Sequence, residues 1–179
     1  MKSNFKKNST RAALAVALAV AALSGHAVEG VASASGTVVA PIAVTKSADL
    51  NFGKFAPGTG GSMTVSTSGA ATSTGVVRST AVTPTAARFD VSGDANATYA
   101  ITYTGSSTAL THAVDSTKTM ALSIHSDLTA GNATSGTVSS GTLSGTGTQS
   151  VYVGGTLTVG AAQVAGTYNG SVKVQVEYN

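Results

Sequence analysis

The chain has no cysteine, no tryptophan and only 3 prolines among its 179 residues. Without cysteine it has no disulfide staple, no thiolate metal site and no N-terminal cysteine to carry a lipid. Charge is scarce too: 9% of residues are Asp, Glu, Lys or Arg, and 5% are aromatic. A chain that is 42% hydrophobic and so weakly charged does not have the composition of a disordered polyelectrolyte. Nor does it favour long helices, because Ala, Leu, Glu, Lys and Arg do not dominate past residue 30. What is abundant is Ser (23), Thr (27) and Gly (21), together 71 positions. Thr and Val with frequent Gly suit pleated strands and tight turns, so one all-β domain is expected.

The formal charge of +3 and a pI near 9.3 come from one place. Four of the ten cations, Lys2, Lys6, Lys7 and Arg11, precede an apolar run over residues 12–23. A cationic start, about a dozen apolar residues and a small-residue exit read as a secretory signal peptide. The run falls short of the roughly 20 residues a spanning helix needs. Two exits fit, after Ala27 and after Ala34, and the first leaves the shorter polar stretch behind the run. Cleavage after Ala27 leaves six cations against seven acids, a net charge of −1. The basicity is thus an export signal, and no nucleic-acid partner is expected. No second apolar stretch reaches membrane length, so the mature chain is expected not to span a membrane by a helix.

Short alternating segments recur along the rest of the chain, separated by Gly/Ser/Thr runs. Val38, Ala40, Ile42 and Val44 share a face of a first strand, with Pro41 marking an edge or a bulge. Leu50 with Phe52, Met63 with Val65, Val76 with Val77, and Phe89 with Val91 mark further segments. Tyr99, Ile101 and Tyr103 alternate, as do Met120, Leu122 and Ile124. Val151 and Val153 precede Gly154-Gly155, and Leu157 and Val159 follow it. The cleanest segment is the last: Val172, Val174, Val176 and Tyr178 on one face, Lys173, Gln175 and Glu177 on the other. Residues 129–150 are almost all Gly, Ser, Thr and Ala, and read as a long surface connection. Eight or nine strands in this length point to a two-sheet β-sandwich. The division expected is a signal peptide over 1–27, an N-terminal segment over 28–45 and a sandwich domain over 46–179.

Two places go beyond composition. The tail Gly166-Thr167-Tyr168-Asn169-Gly170-Ser171-Val172-Lys173-Val174-Gln175-Val176-Glu177-Tyr178-Asn179 resembles the C-terminal strand of chaperone–usher pilus subunits. That pattern has a Gly fourteenth from the end, an alternating apolar strand and a penultimate aromatic; here these are Gly166 and Tyr178. Asp49-Leu50-Asn51-Phe52-Gly53-Lys54 resembles the early-strand motif of the archaic pilins related to spore coat protein U. Residues 36–179 as a whole are also similar to a family of uncharacterised secreted bacterial domains with this opening and ending.

The resemblance implies an immunoglobulin-like sandwich lacking its last strand. A periplasmic chaperone would lend that strand, and the next subunit's N-terminal segment would replace it, by β-augmentation. It further implies that Gly166, Tyr168, Val172, Val174, Val176, Tyr178 and Asn179 belong to the strand-pairing tail, with the Asn179 carboxylate held by basic residues of the chaperone. At the other end only a short Ala/Ser-rich stretch, residues 28–35, precedes the first alternating segment. Residues 36–45, with Val38, Ala40, Ile42 and Val44, are either the donor strand or the first strand of a subunit that receives without donating. Self-completion within one chain is the third option.

The chemical constellations are sparse. His125 and Asp127 share a strand face, which a metal could use, but Asp127 starting a turn and a solvated His125 is the stronger reading. No Gly-x-Ser-x-Gly elbow occurs. The Gly58-Thr59-Gly60-Gly61 and Gly145-Thr146-Gly147 groups lack the following helix of a phosphate cradle. Tyr99 and Tyr103 could stack on a sugar, yet aromatic core is the stronger reading. No catalysis, cofactor or metal is expected. The function expected is a non-enzymatic structural subunit of a bacterial surface fibre or coat, exported through the periplasm to the cell surface. Its partners would be a chaperone, an usher and other subunits in a homo- or hetero-polymer. The rival is a self-contained, secreted, adhesin-like or carbohydrate-binding sandwich. A transmembrane β-barrel ranks lower, because the mature chain has only eight Phe and Tyr for aromatic girdles.

Overall fold

The computed structural model describes residues 28–179, so the expected signal peptide lies outside the described residues. Residues 28–36 are exposed and without regular structure. The folded unit is Thr37–Asn179. Its first strand, β1 (Ala43–Ala48), runs through the expected boundary at 45/46, because Ile42 and Val44 already pack on the core.

The described residues form strands and no helix. After β1 come β2 (Phe55–Ala56), β3 (Gly61–Val65), β4 (Ala71–Thr74), β5 (Val77–Arg78), β6 (Ala87–Ser92) and β7 (Thr98–Thr102). Then follow β8 (Ala109–His112), β9 (Thr119–Asp127), β10 (Ser140–Thr142), β11 (Thr148–Val159), β12 (Tyr168–Asn169) and β13 (Gln175–Tyr178). The larger sheet runs β1-β6-β11-β9-β8-β12, with β3 also on β11 and β4 outside β3. The smaller sheet is β10-β7-β13, and β2 pairs β5 as a short ribbon. All pairings are antiparallel. The molecule is an all-β sandwich.

The 12-residue β11 organises the larger sheet. Along one flank it pairs β6 from Thr148 to Val153, then β3 from Gly155 to Val159. Its other flank holds β9. The Gly154-Gly155 pair, expected to separate two segments, is instead the interior of one strand at the point where partners change. A Cβ on Gly155 would lie 3.0 Å from both Leu122 Cδ1 and Phe52 Cζ, so the neighbouring side chains fill the space glycine leaves.

The inward residues of β11 serve two cores. Val151 and Val153 pack with Phe89, Val91, Tyr99, Ile101, Leu143 and Val174 between the sheets. Leu157 and Val159 pack with Met63, Val65, Met120 and Leu122 under Phe52 and Val76. Residues 129–150 therefore are not all surface: β10 pairs β7, and Leu143 is 1% exposed. The apolar signal is faint there because the Tyr99 ring lies across Gly141. A Cβ on Gly141 would sit 2.6 Å from Tyr99 Cζ.

Candidate strand-acceptor edge

The tail is not one strand. Tyr168–Asn169 pairs β8 in the larger sheet, and Gln175–Tyr178 pairs β7 in the smaller. Gly166 and Tyr168 are thus separated from the four-residue row that follows. The His112 imidazole occupies the place of a Cβ on Gly166, and its ring meets Tyr168 edge-on at 5.0 Å. His112 Nδ1 accepts from the Val114 and Asp115 amides, at 3.2 and 3.1 Å, so Nε2 carries the proton and donates to Ala165 O at 3.2 Å. Gly166, His112 and Tyr168 form a structural corner.

The end of the tail keeps its expected phase. Val172, Val174, Val176 and Tyr178 pack on the first core, while Lys173, Gln175 and Glu177 are exposed. Val174 is the most deeply placed, at 8% exposure. Among the described residues β13 pairs on one side only, with β7. The Asn179 amide donates to Thr98 O at 3.3 Å, and Gln175 and Glu177 sit opposite Thr102 and Ala100. In an antiparallel ladder successive residues alternate their backbone bonding direction. The N–H and C=O groups of Val174, Val176 and Tyr178 therefore point to the open flank.

Across that flank stands β1, which pairs only with β6 among the described residues. Strands β1 and β13 approach one another at the edges of their two sheets, and no backbone ladder joins them. One side-chain tie closes an end of the opening. The Tyr178 hydroxyl donates to Ala40 O at 2.8 Å and accepts from the Asp94 amide at 2.6 Å. Both partners of this tie contribute backbone atoms only. Of the residues named as a donor strand or first strand, Val38 is 98% exposed and Ala40 is exposed. Ile42 and Val44 are half-buried on the first core, with Val44 opposite Val91 of β6.

His125 is not solvated. It is 2% exposed, on the outer face of β9, and its Nε2 lies 2.9 Å from Val65 O. The ring fits because its cross-strand neighbour Gly154 has no side chain: a Cβ there would collide with both Nε2 and Val65 O. Burial holds its pKa below the usual imidazole value of 6.5. Asp127 accepts from the Leu128 amide at 2.7 Å and the Thr129 hydroxyl at 3.2 Å, so it caps its own turn. No group of three His, Asp or Glu able to hold a metal occurs among the described residues. Tyr99 is wholly buried core, and the Tyr103 hydroxyl donates to Ser126 Oγ at 2.6 Å.

Residues 42–178 match a domain of unknown function, DUF4402. The chain belongs to the DUF4402 family. The matched span of this DUF4402 domain opens at Ile42, one residue before β1, and closes at Tyr178, the last residue of β13. The two strands that flank the opening therefore bound the family's domain. No curated protein sequence matches the chain.

Proposed function

We propose that this DUF4402 domain is a non-enzymatic structural subunit of a bacterial surface fibre or coat, joined to its neighbours by a strand laid along β13. In this reading the chain passes through the periplasm with a chaperone and reaches the surface through an usher. The observation that supports it is the unpaired flank of β13, with its inward apolar row set beside the equally one-sided β1. Exported sandwiches blunt such edges with proline, bulges or covering loops. Here β13 carries none of the first two, and the charges of Lys173, just before it, and Glu177, within it, are exposed. An incoming strand would bond the free backbone groups of Val174, Val176 and Tyr178, at about 0.5–1.5 kcal/mol net each. Its alternate side chains would add to the first core beside Val172, Val174 and Val176.

The test is amide hydrogen exchange on the isolated subunit and on assembled material. The Val176 and Tyr178 amides should exchange quickly in the isolated subunit and become protected on assembly. Equal protection in both forms would show that no strand adds there. Removing residues 28–39 leaves β1 whole. If that segment is the donor, the shortened chain should melt normally and fail to polymerise.

A further inference from the structure

The outer face of the larger sheet carries an open cleft of about 660 Å³, with apolar as well as polar lining. Its working side chains are Arg88 and Asp90 of β6, Ser150 and Tyr152 of β11, and Thr129 of the loop after β9. The network within it is dense. Asp90 accepts from Ser47 Oγ, from Ser150 Oγ at 2.8 Å and from Arg88 Nε at 2.9 Å. Arg88 Nη2 donates to Ser150 Oγ at 3.2 Å, and the guanidinium lies 5.8 Å from the centre of the Tyr152 ring. Both members of the ion pair are more than 40% exposed, so the pair adds at most about 1 kcal/mol to the fold. What the bonds do achieve is rigidity: a planar carboxylate and a planar guanidinium are held at fixed orientation in an open concavity.

We propose that this cleft is a binding site for a neutral saccharide. A carboxylate has about four acceptor positions and a guanidinium five N–H groups. Three of the former and two of the latter are used, so both keep unused capacity. The Tyr152 hydroxyl makes no hydrogen bond among the described residues and is free to donate or accept. Arg88 and Asp90 offset one another, and the nearby Asp127 carboxylate, bonded to the Leu128 amide and the Thr129 hydroxyl, adds a negative charge that further disfavours an anion. An anionic ligand would meet Asp90 and a cationic one Arg88, whereas adjacent sugar hydroxyls can accept from the guanidinium and donate to the carboxylate together. Charge-assisted bonds from groups that need no reordering are the kind that support recognition of a strongly hydrated ligand. The cleft contains no residue of β13, and it touches β1 only through the Ser47–Asp90 bond.

The experiment is an NMR titration of the purified chain with maltose, cellobiose and lactose at millimolar concentration, with a sulfated disaccharide in parallel. At least one neutral sugar should give saturable shifts centred on Arg88, Asp90, Ser150 and Tyr152. Asp90→Asn should weaken that binding by about tenfold or more. If Asp90→Asn does not fold, Tyr152→Phe, which removes only the free hydroxyl, should still weaken it. Absence of saturable shifts with every neutral sugar, binding unchanged in the folded variants, or preference for the sulfated sugar would each overturn the proposal.

Discussion

Tyr99 buries its hydroxyl in the first core with no hydrogen-bond partner among the described residues. Burial also raises its pKa above the usual phenol value. Tyr99→Phe removes a desolvated, unpaired group and leaves the ring over Gly141. It should raise stability by about 1 kcal/mol, read from the denaturation midpoint; a loss would mean that the hydroxyl is satisfied. Val174 is the opposite case. An Asp there would bury a carboxylate among Val151, Val153 and Ile101, costing about 3 kcal/mol or more. A Val174→Asp subunit with normal yield and a normal melting transition would show that the β13 row does not face a core. Gly154→Ala should cost about 1–3 kcal/mol, because the added methyl meets both the His125 ring and Val65 O.

At the scale of the element, β9 carries both a bonded loop and a titrating side chain. The segment over residues 128–138 packs Leu128 and Val138 on the first core and is bonded at both sides. Thr67 and Ala133 exchange backbone and side-chain bonds of 3.0 and 2.8 Å, and the Ser126 amide donates to Gly136 O at 2.9 Å. Val138 N donates to Ser126 Oγ at 2.9 Å. With a lowered native pKa, His125 stays neutral where the unfolded chain begins to take up a proton, near pH 6.5. The unfolded state then binds more protons, so stability falls as pH drops below that value and levels off beneath the native pKa. His125→Gln keeps a donor toward Val65 O and does not titrate. Denaturation midpoints near neutrality and at about pH 5 should converge more closely in the variant than in the parent; equal pH slopes would remove His125 from the account.

The elements also differ in how far the sequence reveals them. The row Val172 to Tyr178 is legible because each inward side chain is apolar and each outward one polar. Strand β10 is not, because its inward residue is Gly141 and the apolar mass comes from Tyr99 on β7. The continuity of β11 is hidden in the same way, since Gly154 and Gly155 look like a turn until His125, Leu122 and Phe52 are seen filling their space. Strands β8 and β12 are set by the His112 corner, a tertiary contact between residues more than fifty positions apart. The position of Tyr178 in the tail is legible, while its bonds to Ala40 and Asp94 are not, because both partners contribute backbone atoms only.

At the scale of the whole molecule, the open flank between β1 and β13 is the feature around which the proposed function turns. A sandwich with two one-sided edges of this kind is a template for another strand, and the inward row gives that strand a register. The family's matched span ends on the same two strands, and the described residues contain no helix long and apolar enough to cross a membrane. A strand-exchanged polymer would be held by many backbone bonds and buried side chains, with no covalent link, since the chain has no cysteine. The most direct measurement is electrophoresis in SDS of material sheared from producing cells, with and without boiling. Strand-exchanged polymers should give a ladder of multiples that collapses to one band on boiling. A single monomer band in both lanes would contradict strand exchange.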